Sequence, residues 1–333
     1  RDRINLCQKK IMKRIDFMKS IGFLTGAASI NPINLWATSS SLKKLLPEIG
    51  IQLFSLPLLL NKNFEKSISM LSEIGYSYLE FFGPYYFSSP SVRDTWKKYS
   101  FFPKSENPFS GFYGNSAKEI KSILSNYKMN SPSIHTDLET LENHMGELAK
   151  GALECGAKYI VLPAIPVDQR QNLDQYKRMA ERFNSIGEAA KKEGILFAYH
   201  NHGYGFSEMN GTVPTHYIFK NTDPNLVFFE MDIFWTLAAG QNPVELLNKY
   251  PNRYKLMHLK DMKEKQIFDG DGESPEQWYK LFPNMTSCGD GIADLESIIN
   301  TAKKVCVKHF FVEQDMAKNP EIVLQKSYQY LSR

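Results

Sequence analysis

Short apolar runs alternate with amphipathic segments from residue 49 to the end of the chain. Runs of strand-like length and composition predict β-strands at 50–55, 77–82, 131–135, 158–163, 195–200, 226–232, 255–260 and 309–314. The intervening segments repeat apolar residues every three or four positions, which predicts helices at 64–74, 116–128, 141–155, 174–193, 215–220, 243–249, 294–305 and 320–331. Parallel strands need a crossover connection, so this alternation predicts a parallel sheet. Eight such units in about 285 residues favour an α/β fold of the closed (β/α)8 TIM-barrel type.

Two segments interrupt this rhythm, at 83–115 and 263–287. Each follows a predicted strand, so in a barrel each would lie on the C-terminal face, where loops of this length are usually functional. Neither has the appearance of a separate domain. We therefore predict a single catalytic domain spanning 46–333.

Residues 1–45 differ in composition and predict an export signal followed by a linker. Lys13 and Arg14 precede an apolar stretch at 21–28, which is the order of basic and apolar regions in exported proteins. The segment resembles a twin-arginine signal in which Ile15 replaces the second arginine. The stretch is shorter than the ~20 residues that span a bilayer, so we expect no stable membrane insertion. We predict a periplasmic protein; the alternative is an amphipathic N-terminal helix on a cytoplasmic enzyme.

Composition and charge narrow the range of partners. The chain has 333 residues, of which 42% are hydrophobic and 23% are charged, so it can bury one large core. Its formal net charge of +4 comes without a clustered basic stripe, which argues against nucleic-acid binding. The four cysteines lack metal-ligand or redox spacing. A small molecule is therefore the expected partner, and the sequence leaves a homo-oligomer open.

Polar side chains of ligand type accumulate at the carboxyl ends of the predicted strands, where a barrel has its active site. They are Glu80 on the second strand, His135 on the third, His200 and His202 on the fifth, Glu230 and Asp232 on the sixth, His258 and Lys260 on the seventh, and Glu313 on the eighth. Side chains two positions apart on a strand share a face, so each pair points alike. A carboxylate inside an apolar strand is costly unless it is paired or bound to a metal. Mixed carboxylate and imidazole groups suit one divalent ion, namely Mn²⁺, Mg²⁺, Co²⁺ or Zn²⁺.

Such an ion would act as a Lewis acid on a carbonyl oxygen and acidify the neighbouring C–H bond. Proton abstraction would then give an enediolate, with a nearby carboxylate or histidine carrying the proton. The candidate catalytic residues are Glu313, Glu230, His202 and Lys260. Glu230 could instead orient His200 through a hydrogen bond. The candidate substrate-binding residues are Glu80, His135 and Trp235.

The strand-end motifs follow one another in the order of a known family. They are Tyr199-His200-Asn201-His202-Gly203, Phe229-Glu230-Met231-Asp232-Ile233-Phe234-Trp235, Ala239-Gly240, His258-Leu259-Lys260-Asp261, Gly289-Asp290-Gly291 and Val312-Glu313-Gln314-Asp315. This set resembles the sugar phosphate isomerase/epimerase family, which has a xylose isomerase-like TIM barrel and is related to inosose dehydratase and endonuclease IV. The resemblance covers roughly residues 48–330. It implies a single metal ion bound by one residue from each of the last four strands, and these residues are His200, Asp232, His258 and Glu313.

Two departures from the family pattern bear on the reaction. Epimerases of the family usually have a strand-five glutamate that passes protons together with the strand-eight glutamate, and His200 stands in its place. A substrate-binding histidine three residues after Asp232 is replaced by Trp235. Both changes resemble the dehydratase branch. Trp235 and the aromatic residues from Tyr85 to Trp96 would suit either stacking on a pyranose ring or ordinary packing.

The resemblance implies a metal-dependent isomerase or epimerase that acts on a sugar or keto-sugar through an enediolate. The alternative is a lyase that forms the same enolate, either a keto-sugar or inosose dehydratase or a 3-keto-glycoside lyase. A second alternative is a non-catalytic carbohydrate-binding barrel. DNA repair of the endonuclease IV type is disfavoured, because it needs more strand-end histidines and a basic DNA-facing surface.

Overall fold

The computed structural model describes residues 44–97, 111–272 and 274–333, which belong to one compact unit. Its β-strands are β1 (Gly50–Gln52), β2 (Tyr78–Phe82), β3 (Asn130–His135), β4 (Tyr159–Leu162), β5 (Leu196–His200), β6 (Val227–Asp232), β7 (Tyr254–Leu259), β8 (Asp261–Met262), β9 (Met285–Thr286) and β10 (His309–Val312). Its α-helices are α1 (Pro57–Lys62), α2 (Phe64–Ile74), α3 (Pro90–Trp96), α4 (Ala117–Asn126), α5 (Leu138–Asn143), α6 (Met145–Cys155), α7 (Leu173–Lys192), α8 (Pro214–Asn221), α9 (Ile233–Ala238), α10 (Pro243–Lys249), α11 (Pro275–Leu281), α12 (Leu295–Lys304) and α13 (Pro320–Leu331). Short 3-10 helices lie at Leu53–Ser55, Val167–Gln169 and Phe282–Asn284.

Eight parallel strands close a barrel in the order β1-β10-β7-β6-β5-β4-β3-β2. The strands β8 and β9 form a separate antiparallel pair in the loop that follows β7. The predicted (β/α)8 TIM barrel is therefore confirmed. Helices α2, α10 and α13 have the predicted bounds.

Most other boundaries differ from the sequence prediction by one or two residues, and three of the differences have a local cause or concern the site. The strand predicted at 50–55 ends at Gln52, because the Gln52 side chain accepts the Phe54 N–H and caps a 3-10 helix. The helix predicted at 141–155 is two helices, α5 and α6, which are separated at His144. The last barrel strand ends at Val312, so Glu313 lies on the loop just beyond it.

The barrel interior changes from apolar to polar along its axis. Toward the amino ends of the strands, Tyr78, Tyr159, Leu256 and Phe311 belong to one buried cluster. Gly50 leaves room for this packing, because a Cβ there would overlap the Tyr78 ring. Toward the carboxyl ends, the strand register sets Glu80 beside Ser133, His200 beside Glu230 and Asp232 beside His258. The fold thus gathers the polar strand-end residues at one mouth of the barrel.

The two predicted insertions both lie beside this mouth. The first is described except for 98–110. Its Tyr85 and Phe87 rings are buried and stack with centroids 4.9 Å apart, so they pack in the core, whereas Trp96 lines the cavity described below. The second insertion contains α11 and β9, and β9 pairs with β8 immediately before the insertion.

The predicted export segment at 1–45 lies outside the described residues, apart from Lys44 and Leu45. The export prediction therefore stays a prediction. Among the residues that the structure describes, no helix combines the length and apolarity needed to cross a bilayer.

Candidate metal centre and substrate cavity

Two carboxylates and a histidine form a buried floor beneath the site. Glu80 on β2 and Glu230 on β6 have no exposed surface. His135 Nε2 lies 2.8 Å from Glu230 Oε2 and 3.0 Å from Glu80 Oε2. Gln52 Nε2 donates a hydrogen bond of 2.8 Å to Glu80 Oε2, and the Ser133 hydroxyl donates to the other oxygen. This connected network compensates for two charges whose burial would otherwise be costly.

The four predicted metal ligands lie above this floor and are buried. His200 Nε2 is 3.7 Å from Asp232 Oδ2, which is 3.8 Å from His258 Nδ1. His258 Nδ1 is 2.7 Å from Glu313 Oε2. Ligands bonded at about 2.1 Å to one ion are separated by roughly 3–3.5 Å, so this spacing is compatible with a shared cation.

The potential ligand atoms fall into two overlapping sets within the described residues. Asp232, His258 and Glu313, which are three of the four ligands that the family resemblance implies, form the upper set. The lower set contains His135, His200, Glu230 and His258. His200 therefore touches the predicted ligands through Asp232 and the floor through Glu230.

Three of the predicted ligands have one polar atom held by the floor or the backbone and another that faces the ligand set. Asp232 Oδ1 accepts the N–H of Trp235 and caps α9, while its Oδ2 faces His200, His258 and Lys260. His258 Nε2 lies 2.6 Å from Glu80, while its Nδ1 lies 2.7 Å from Glu313 Oε2. His200 Nδ1 lies 3.0 Å from Glu230, which leaves Nε2 facing Asp232. The floor carboxylates accept from the other nitrogen of each ring, so a bound cation could take the place of the proton between His258 and Glu313. This donor set fits a divalent cation.

Lys260 lies against the same carboxylates. Its ammonium nitrogen is 3.1 Å from Asp232 Oδ2, 2.7 Å from Glu313 Oε2 and 2.6 Å from Asp315 Oδ2. Only 1% of Lys260 is exposed, so these contacts are shielded from solvent. Lys260 can therefore neutralise negative charge at the site and exchange a proton with Glu313 or Asp315.

Burial and neighbouring charges shift the pKa values of these groups. Burial alone would raise the pKa of Glu313, but Lys260 and His258 hold it below its usual range. Burial raises the pKa of Asp315 to about 7, although Lys260 opposes the shift. Burial alone would lower the pKa of His135, but Glu80 and Glu230 raise it to about 9.

His202 lies next to the predicted ligands and has a defined tautomer. Its Nδ1 is 2.6 Å from the carbonyl oxygen of Pro163, so Nδ1 carries the proton and Nε2 keeps a lone pair. Its ring stacks on Trp278 with centroids 4.6 Å apart. Burial lowers the pKa of His202 well below its ordinary value. The ring is therefore a neutral base beside the site.

A cavity of about 770 Å³ opens at this mouth of the barrel. Its polar lining includes His135, His200, His202, Glu313 and Asp315, and its aromatic lining includes Phe54, Phe82, Trp96, Trp235, Trp278 and Phe282. A volume of roughly 300–1,000 Å³ with mainly apolar walls and a few polar groups is typical of small-molecule sites.

Of the three predicted substrate-binding residues, only His135 lines the cavity with exposed surface. Glu80 is absent from its lining, because the carboxylate lies in the floor under His258. Trp235 borders the cavity but has no exposed surface and stacks on Phe268 at 5.8 Å. The predicted roles of these residues stay predictions.

Three residues of this region received no role in the sequence analysis. Asp315 lies two residues beyond Glu313, and that spacing could have indicated a shared face. Trp278 is on α11 within the second insertion, where no strand-end pattern applies. Asp261 is structural: its carboxylate accepts backbone N–H groups of the loop at 289–293.

Comparisons with known proteins support the fold and identify its family. A family model described as xylose isomerase-like TIM barrel matches residues 68–331. The inosose dehydratase of Clostridium beijerinckii is 30% identical over 166 residues, which are 48% of this chain and 55% of that protein. The chain thus spans about half the length of this curated relative.

Two solved structures share the fold. A sugar phosphate isomerase/epimerase from Parabacteroides distasonis is 24% identical, has a TM-score of 0.66, and covers 89% of this chain and 98% of its own. The IOLI protein, solved with a zinc atom, is 14% identical, has a TM-score of 0.58, and covers 86% of this chain and 95% of its own. The barrel, its polar strand-end residues and the match of the family model lead to one conclusion: the chain belongs to the xylose isomerase-like TIM barrel family.

Proposed function

We propose that this protein is a metal-dependent lyase that removes a β-hydroxyl or β-alkoxyl group from a keto-sugar or keto-cyclitol. The observation that carries the proposal is a cluster of buried ligand-type atoms, namely Asp232 Oδ2, His258 Nδ1 and Glu313 Oε2 beside His200. The cluster lies next to a 770 Å³ cavity that His200 and Glu313 line. When bound there, a divalent cation supplies Lewis-acid polarisation of the substrate carbonyl. The relatedness to inosose dehydratases supports a keto-cyclitol or keto-sugar substrate.

The contacts of His200 favour elimination over epimerisation. A glutamate ligand can bind a metal with one oxygen and exchange a proton with the other. His200 uses Nδ1 on Glu230 and turns Nε2 toward Asp232, so it has no third atom for the substrate. The two-glutamate proton transfer of the family's epimerases is therefore unsuited to this chain.

Two other groups can move the protons. His202 has its Nε2 lone pair available to remove the hydrogen next to the substrate carbonyl, which gives an enolate. As the carbonyl reforms, the electron pair makes the Cα–Cβ double bond and the Cβ–O bond breaks. The Lys260–Asp315 pair supplies the proton to the departing oxygen. A ketone thus gives an α,β-unsaturated ketone and water or an alcohol, with no oxidant or reductant required.

Proton NMR in deuterated water tests this proposal directly. The metal-loaded full chain would be incubated with a keto-inositol and with a methyl 3-keto-glucoside. We expect a vinylic proton signal from both compounds and free methanol from the glycoside. His202→Gln should abolish these signals, whereas His216→Gln, a substitution on α8, should not. Turnover that survives removal of all metal would refute the proposal.

Isomerisation or epimerisation, as first predicted, remains the second candidate. Its support is that Glu313 and His202 follow different barrel strands and both border the cavity, so two groups that can carry protons are present. The same NMR experiment distinguishes the two reactions, because isomerisation washes deuterium into the substrate without loss of a group. A barrel that only binds carbohydrate is less favoured, since binding alone does not account for the buried cluster of Asp232, His258 and Glu313.

A further inference from the structure

Arg170 is a buried cation in the cavity that the proposed reaction does not use. It follows the 3-10 helix at Val167–Gln169, in the loop between β4 and α7. This loop belongs to the C-terminal face, and Arg170 lines the same cavity as His202 and Glu313. Only 4% of the residue is exposed.

The guanidinium is held in a fixed orientation. Its Nε donates a hydrogen bond of 2.8 Å to the carbonyl oxygen of Ile165. Its central carbon lies 3.6 Å from the centre of the Tyr204 ring and 5.6 Å from that of Trp278. Trp278 in turn stacks on His202, so Arg170 and the proposed base both lie close to one indole. Stacking of this kind pre-organises a planar guanidinium for recognition of a planar anion.

No carboxylate within the described residues forms an ion pair with Arg170 at 4.0 Å or less. Asp271, whose charge acts on Tyr176 and Tyr204, uses its two oxygens to accept the N–H groups of Gly205 and Ser207. The neighbouring Tyr176 hydroxyl is uncharged, because burial raises its pKa.

The acidic residues of the cavity wall are also engaged elsewhere. Asp137 caps α5 through Thr140, and Glu139 accepts hydrogen bonds from Ser91. Glu313 and Asp315 hold Lys260. Burying a charge without a partner is unfavourable, so a bound anion would supply what the protein does not.

We propose that Arg170 determines specificity by binding a carboxylate group of the sugar substrate. This inference rests on the proposed function, and it names an acidic sugar as the substrate class. A carboxylate suits the site better than a phosphate, because no second free cation lines the described cavity wall to balance a dianion. One guanidinium edge matches one carboxylate in charge and in planar shape.

Binding of stable sugars tests the inference without any turnover. D-Glucuronate, D-glucose and D-glucose 6-phosphate would be titrated into the full chain, with tryptophan fluorescence as the readout because Trp278 lies against the guanidinium. We expect D-glucuronate to bind about tenfold to hundredfold more tightly than D-glucose, the range of one charged hydrogen bond. The preference should weaken with added salt.

Variants separate a binding role from a packing role. Arg170→Gln should bring the glucuronate-to-glucose ratio close to one, and Arg170→Lys should retain part of it. Arg178→Gln, which removes an exposed arginine from α7, should leave the ratio unchanged. If the Gln variant does not fold, the Lys variant and the salt dependence of the wild type still decide the question.

Three results would overturn the inference: equal binding of the acid and the neutral sugar, a stronger preference for the phosphate, or equal weakening of both ligands in Arg170→Gln. The titrations would be run with and without a chelator. Sugar binding that is the same with and without the chelator would count against the proposed lyase. Equal binding of D-glucuronate and D-glucose would count against the role of Arg170.

Discussion

Replacing Asp261 with alanine would remove the acceptor of four backbone N–H groups. Oδ1 accepts from Met262 at 2.8 Å and Ala293 at 3.1 Å, and Oδ2 accepts from Gly289 at 2.9 Å and Gly291 at 3.1 Å. Each such bond contributes about 1 kcal/mol net, which sets an upper value of about 4 kcal/mol for the loss. The carboxylate is fully buried but the loop is partly exposed, so water can replace some of the bonds. We therefore expect the free energy of unfolding to fall by about 2–4 kcal/mol.

Unfolding in guanidinium chloride, followed by circular dichroism, measures this loss. Asp261→Asn keeps one acceptor oxygen but turns an NH2 group toward the other two N–H donors, so about half of the loss is expected. Asp290→Ala removes an exposed carboxylate from the same loop, and its effect should be within about 0.5 kcal/mol. The reasoning is wrong if the Asp261 and Asp290 variants are equally stable.

Three further predictions concern the metal centre. Asp232→Ala should lower metal content, measured by elemental analysis, and abolish turnover together; full activity without metal would contradict this. His200→Glu should retain metal because the site accepts oxygen ligands, whereas His200→Phe should lose it; equal metal content in both would mean that His200 only packs. Glu80→Gln should weaken metal affinity by about tenfold to hundredfold, because Glu80 orients His258; an unchanged titration with metal would exclude that positioning role.

The fold, and the position of the site at the carboxyl ends of the barrel strands, could be predicted because both depend on local patterns. The apolar spacing within α2 and α13 sets their bounds, and alternation along β6 directs Glu230 and Asp232 to the same interior. The expected gathering of Asp232, His258 and Glu313 follows from strand ends that share one mouth of a parallel barrel.

Depth within the barrel and contacts between loops could not be predicted in this way. The sequence marks Glu80 as a strand-end residue, but its contact with His258 depends on the stagger of strands that are far apart in the chain. Trp278 approaches His202 from an insertion helix, and Arg170 comes from an irregular loop. Neither has a periodic signal, because its position depends on tertiary packing.

The floor of the site also constrains how this protein can evolve. Glu230 Oε2 lies 2.8 Å from His135 Nε2, 3.0 Å from His200 Nδ1 and 3.3 Å from His258 Nε2. A single oxygen cannot give three rings their best geometry at once, so the orientation of each ring depends on the other two. Substitutions at these positions should therefore show strong epistasis, with double variants departing from the sum of the single ones. Change of chemistry in this lineage would then require coordinated replacement of several histidines, while the cavity wall could diversify one residue at a time.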